Sequence, residues 1–197
     1  MAGCLPRYMG NMIVIGTIPR GRAIAIVGTR NPTREGAWLT RLVVRKVAEL
    51  GFTVITGDAR GVDSITAQQA VETKAPLVVA KPCISSGEEP PPNGAIVGLR
   101  YCNGRITGGM LVSRDWLIAK LADAIIVSEA RSGSARQACC GTWYTVAFGV
   151  RRGVPVFILR PVVNEPDVLE AFRIITRDGA VPVDSIEELV GRLRRLV

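Results

Sequence analysis

Gly57-Asp58-Ala59-Arg60-Gly61-Val62-Asp63 places two glycines around one arginine, where a β-rich run gives way to helical spacing. Glycines let backbone lie close to an anion, a planar guanidinium offers a fork of donors to phosphate, and a helix N-terminus adds unpaired N–H groups. Asp63 is placed to cap the helix or to hold the loop. A turn that only reverses the chain has no need of Arg60, which makes this the sharpest motif in the sequence. Gly28-Thr29-Arg30, leading to Gly36, ends another apolar run and offers a second phosphate seat at a helix N-terminus. It matches neither the GxGxxG fingerprint nor the P-loop lysine pattern, and a tight turn explains its glycine equally well. Glu129-Ala130-Arg131-Ser132-Gly133-Ser134 follows a third run, and its hydroxyls and glycine either donate to an anion or simply cap a helix.

The rest of the composition narrows what these loops can do. Histidine is absent, which removes the usual general base and the commonest metal ligand. No catalytic residue, metal site or cofactor is expected. The five cysteines (Cys4, Cys83, Cys102, Cys139, Cys140) contain no CxxC pair, so they read as reduced thiols without a disulfide framework. Lys and Arg exceed Asp and Glu by 25 to 17, a formal charge of +8, which favours anionic partners or a solvated basic surface. Arg41 and Arg45, Arg151 and Arg152, and Arg192, Arg194 and Arg195 would either widen that footprint or line solvated helix faces. With 48% hydrophobic and 21% charged residues the chain is globular. No apolar stretch reaches the roughly 18–20 residues of a membrane span, so a soluble cytoplasmic protein is expected.

These loops need a scaffold, and the alternation of elements supplies one. Short strands are expected at 23–27, 52–56, 77–80, 124–128 and 156–159, bounded by glycine or proline. Helices are expected at 34–50, 61–72, 113–121, 134–150, 165–176 and 185–196, with Trp38, Leu42, Val47 and Leu50 as the apolar spacing of the first. Trp143 and Tyr144, like Trp38, fit helix-to-sheet packing, and Tyr101 and Trp116 lie nearer the binding edge. Val181–Val183 reads as a short edge strand, and Asp184 as an N-cap with Glu187 three residues on. The segment 81–112, rich in glycine and carrying Pro90-Pro91-Pro92, either holds short elements or works as a binding loop. The whole is one α/β domain, a Rossmann-like doubly wound and mostly parallel sheet of order 3-2-1-4-5 with helices on both faces. Residues 1–21 form an extension, 22–160 the core and 161–197 the C-terminal helices. Ligands bind such sheets beyond the strands' carboxyl ends where the order reverses, and the three loops gather at that edge.

IAIVGTR (Ile24 to Arg30), TGDARGVD (Thr56 to Asp63) and ADAIIVSEARSGS (Ala122 to Ser134), with Ser113-Arg114-Asp115 between them, resemble the DNA-processing Smf/DprA family from about Ala23 to Leu159. The resemblance implies a homodimeric module that binds single-stranded DNA and consumes no cofactor, with Arg30, Arg60 and Arg114 as phosphate contacts. Asp115 stands where the family usually has asparagine, Gln68 or Gln69 where it tends to have histidine, and Asp58 replaces an apolar residue. A carboxylate beside Arg60 opposes a polyanion. The alternative is a nucleotide-binding sensor or a LOG-like phosphoribohydrolase of nucleoside monophosphates, members of the wider superfamily. That reading lacks the PGGxGTxxE motif and would need Glu129 as its carboxylate.

Overall fold

The computed structural model describes residues 7–9, 11–132 and 140–196. Its strands are β1 (Arg7–Met9), β2 (Met12–Gly16), β3 (Ala23–Val27), β4 (Thr53–Gly57), β5 (Leu77–Ala80), β6 (Gly94–Gly98), β7 (Ala124–Val127), β8 (Val156–Leu159) and β9 (Val181–Val183). Its helices are α1 (Arg34–Glu49), α2 (Val62–Glu72), α3 (Gly108–Leu121), α4 (Cys140–Arg151), α5 (Pro166–Arg177) and α6 (Ile186–Arg194). One sheet runs β1-β2-β6-β5-β4-β3-β7-β8-β9, so the expected order survives as its centre, β5-β4-β3-β7-β8. The β1–β2 and β2–β6 pairs are antiparallel and the others parallel.

The two-residue period of a strand divides the core into two layers. Ala25 and Val27 of β3 pack with Leu117 and Ile118 of α3, Val146 of α4 and Ile175 of α5. Ile24 and Ile26 pack on the other face with Val43, Val44 and Val47 of α1, Ala70 of α2 and Leu189 of α6. Both faces of β3 are buried, which is why its sequence is a continuous apolar run rather than an alternation.

Several expectations are corrected. Trp38 is 61% exposed, because the buried stripe of α1 runs through Gly36, Thr40, Val43, Val44 and Val47. Tyr144 is exposed as well, whereas Trp143 packs against the core. Part of the extension joins the sheet as β1 and β2, and the segment 81–112 contributes β6. Helix α3 starts five residues earlier than expected, because the Thr107 hydroxyl accepts from the Met110 N–H and fixes the first turn ahead of the periodic stretch. Ser185, not Asp184, caps α6: its hydroxyl accepts from the Glu188 N–H while the Glu188 carboxylate accepts from the Asp184 N–H.

Cys83 and Cys102 form a disulfide, contrary to the expectation of reduced thiols. Cys83 follows β5 and Cys102 follows β6, and because these strands are parallel neighbours their exit loops run side by side. An Ile84–Tyr101 bridge lies next to the disulfide. Sequence spacing gives no hint of the pair, since only the adjacency of β5 and β6 brings the thiols together. No helix among the described residues is long and apolar enough to cross a membrane.

Candidate functional site

The parallel strands all discharge their loops at one edge, and three of those loops are hydrogen-bonded to one another there. The Thr29 N–H donates to the Glu129 carbonyl (2.8 Å), and the Val62 N–H donates to the Thr29 carbonyl (3.0 Å). Two glycines are required by this contact. A Cβ on Gly28 would lie 2.5 Å from the Glu129 carbonyl oxygen, and one on Gly61, where φ is +79°, would lie 2.5 Å from that of Thr29. The third loop is anchored through Arg131, which pairs with Glu165 (2.7 Å) and Asp167 (2.8 Å) and donates to the Asn31 carbonyl (2.8 Å). The Ser132 N–H donates to the Asp167 carbonyl (3.0 Å). Gly133 and Ser134 lie outside the described residues.

Beneath the first two loops lies a buried ion triad. The Arg114 guanidinium contacts Asp63 Oδ2 (3.2 Å) and Asp115 Oδ1 (2.9 Å), and all three side chains are under a tenth exposed. Two carboxylates against one guanidinium leave one negative charge uncompensated. Burial pushes both Asp63 and Asp115 up to about 6, against the pull of Arg114, and the Asp63 charge raises Asp115 further. Asp115 Oδ2 has no hydrogen-bond partner among the described residues. Gly57 gives the triad its room: a Cβ there would lie 1.8 Å from Arg114 Nη1 and 2.4 Å from Asp63 Oδ2. Gly57→Ala is therefore expected to lower stability by about 1–3 kcal/mol through overpacking, read as a shift of the urea midpoint at unchanged slope.

Above the triad opens a cleft of about 280 Å³, walled by Arg30, Arg60 and Asp58 and by Pro82 and Leu111, with Arg114 at its floor. A smaller cavity continues inward between Arg30, Asp63, Asp115 and Thr145. Arg30 and Arg60 are exposed, and neither makes an ion pair among the described residues. Asp58 is answered by Lys81, whose ammonium bridges it (3.2 Å) to Glu88 (3.1 Å). Burial alone would lower the Lys81 pKa, but its bonds to the two carboxylates hold it above the ordinary value. The carboxylate beside Arg60 is thereby offset.

Glu129 does not face this cleft. Its side chain is buried, with Oε1 accepting from the Thr33 N–H (2.8 Å) and Oε2 from the Thr33 hydroxyl. That hydroxyl in turn accepts from the Gly36 N–H (2.8 Å). At the N-terminus of α1, expected to offer free N–H groups to a ligand, the Thr33 N–H is taken by a carboxylate of the chain itself and the Gly36 N–H by the Thr33 hydroxyl, so those two groups are not available to a phosphate at Gly28–Gly36. Arg151 and Arg152 end α4, and Arg194 and Arg195 end α6, on helices that run back to the opposite edge of the sheet. They do not extend the cleft.

Sequence reasoning thus identified Gly28, Arg30, Gly57, Asp58, Arg60, Gly61, Asp63 and Arg114 as one neighbourhood, and the structure brings them together. It missed Lys81, Pro82 and Leu111, which come from the segment 81–112. A lysine directly after the third expected strand was the one available signal for Lys81.

The family model for DNA recombination-mediator protein A matches residues 8–194. Protein Smf of Synechocystis is 27% identical over 193 residues, covering 90% of this chain and 45% of that protein. DNA processing protein DprA of Bacillus subtilis is 32% identical over 57 residues, 29% of this chain and 19% of that protein. The chain spans less than half the length of these curated relatives. Among solved structures, DNA processing protein A of Helicobacter pylori, described for its single-stranded DNA binding mode, superposes with a TM-score of 0.73 at 22% identity, covering 93% of this chain and 86% of that one. DprA of Streptococcus pneumoniae gives 0.74 at 17%, covering 91% and 65%. The molybdenum cofactor carrier protein of Chlamydomonas reinhardtii gives 0.61 at 17%, covering 90% and 98%. These structural likenesses concern the fold.

Proposed function

The chain belongs to the DNA recombination-mediator protein A family, and from that premise we propose that it is a binding module for single-stranded DNA, not an enzyme, which takes strand phosphates in the cleft between Arg30 and Arg60. The observation that carries this reading is the pair of exposed guanidiniums, unpaired among the described residues, on two loops of one open cleft. Gly57 and Gly61 shape the β4–α2 loop between them, Lys81 offsets Asp58, and Arg114, bound to Asp63 and Asp115, cancels part of their negative charge beneath the cleft. The homodimer and the cytoplasmic setting that the resemblance implies belong to the same proposal. The hydrolytic alternative loses support from Glu129, whose carboxylate is occupied at the start of α1.

The test is fluorescence anisotropy of labelled oligo-dT across a salt series, with AMP as competitor. Two or three neutralised phosphates on a single strand correspond to a slope of log K against log salt of about −1.4 to −2.1. Binding with that slope, undisturbed by AMP, supports the module. No oligonucleotide binding at low salt, or displacement by AMP, overturns it.

A further inference from the structure

We infer that Glu129 is a built-in substitute for a ligand phosphate, and that it restricts the site to phosphodiesters within a strand by closing the helix N-terminus where a terminal phosphate would sit. This deepens the reading above and rests on it only for the choice of substrate.

In a doubly wound sheet the turn after the first central strand points backbone N–H groups of the next helix at the switch point, where the helix dipole favours an anion. Here that helix is α1, of 16 residues, and its N-terminus already holds an anion. The Glu129 carboxylate comes from the loop after β7, across the switch point, and takes the Thr33 N–H with one oxygen and the Thr33 hydroxyl with the other. Only 6% of the residue is exposed. Gly36 shows how closely the carboxylate is seated: a Cβ there would lie 2.2 Å from Glu129 Oε2. A phosphate oxygen brought to the Thr33 N–H would meet the carboxylate at contact distance, two like charges in a buried site, a costly arrangement.

The exposed donors lie one loop away. Arg30 and Arg60 face open solvent, and the α2 N-terminus behind them has no side-chain cap at Gly61. An open, arginine-walled cleft accepts a singly charged phosphodiester with chain continuing on both sides. A phosphomonoester draws its affinity from several converging N–H donors, and at the switch point α1 has already committed its Thr33 and Gly36 N–H groups, to Glu129 and to the Thr33 hydroxyl. What the α2 N-terminus still offers a terminal phosphate is read by the 5′-phosphate titration.

The experiment has two arms. In the first, thermal unfolding of wild type, Glu129→Gln and Glu129→Ala is followed in inorganic phosphate and in chloride of equal ionic strength. Glu129→Ala is expected to melt lower in chloride and to gain more from phosphate than wild type and Glu129→Gln, whose side chain still fills the seat, since any gain from the Arg30–Arg60 cleft or from the salt itself is common to all three. A phosphate effect no larger in Glu129→Ala than in wild type overturns the inference. In the second, wild-type protein is titrated with oligo-dT bearing a 5′-phosphate or a 5′-hydroxyl. Affinities within about twofold support the inference, and a preference of about tenfold for the 5′-phosphate, some 1.4 kcal/mol, overturns it even where Glu129→Ala fails to fold. Absence of any oligonucleotide binding removes the DNA-binding proposal instead, and the phosphate arm still decides the role of Glu129.

Discussion

Arg114→Ala is expected to lower folding stability by about 3–5 kcal/mol at neutral pH, the cost of leaving buried charge without its partner. The deficit should shrink on acidification, and the sign follows from the carboxylates. Asp63 and Asp115 are pushed up to about 6 from 3.8. Between about pH 4 and 6 the native state therefore holds protons that the unfolded chain has released, so their contribution to stability falls as pH rises through that window. Without the guanidinium both carboxylates hold protons to still higher pH, and protonation removes the repulsion that Arg114 had screened. Urea unfolding at about pH 5 and 7.5 reads the effect. Adding Asp115→Asn to Arg114→Ala should restore part of the loss at the higher pH, because it deletes one of the two unpaired charges. A deficit equal at both pH values, or no gain from the second substitution, would show that the triad is not held as an ion cluster. The same uncompensated charge lies under the cleft, so wild-type DNA affinity is expected to rise as the pH falls toward 6.

Much of the scaffold was readable because it follows from local rules. The apolar runs at 23–27, 124–127 and 156–159 are too short for helices and suit strands buried on both faces, and right-handed crossovers with helices on both sides leave few orders, of which the expected 3-2-1-4-5 is the one found as β5-β4-β3-β7-β8. What escaped depends on contacts distant in sequence. β6 follows a proline run inside a glycine-rich segment, and its place in the sheet depends on β5 and β2 pairing with its two sides. The Cys83–Cys102 disulfide is a consequence of that pairing. Trp38 was misplaced because apolar spacing on a helix admits more than one face, and the smaller stripe through Gly36 and Thr40 won by fitting closer to the sheet.

The site was legible as a neighbourhood and misread in its details for the same reason. Glycines and arginines at strand ends announce loops that approach an anion, but do not say which anion. Glu129 resembles a catalytic or ligand-facing carboxylate at a strand end, and only Thr33, 96 positions away, reveals that its anion-binding partner is the chain's own helix. Arg114 resembles a phosphate contact, and only Asp63 and Gly57 reveal how deeply it is held.

Arg30→Ala and Arg60→Ala are each expected to weaken oligo-dT binding by about tenfold to a hundredfold, since a hydrogen bond to a charged partner contributes roughly 1.5–3 kcal/mol. The double variant should bind too weakly to measure at physiological salt. Each substitution should also reduce the salt slope by about 0.7, the share of one phosphate on a single strand, which distinguishes a lost contact from a general loss of fold. Because both side chains are exposed and outside every ion pair of the described residues, melting temperature should move little, with the larger shift for Arg30→Ala, whose charge favours the ionised form of buried Asp63. Arg151→Ala combined with Arg152→Ala removes the same charge from the opposite edge of the sheet, beyond a Debye length of roughly 8 Å from a cleft on the far edge. That control should leave affinity near the wild-type value. If the two pairs weaken binding equally, net charge and not the cleft carries the interaction, and the assignment of Arg30 and Arg60 to a phosphate site is wrong.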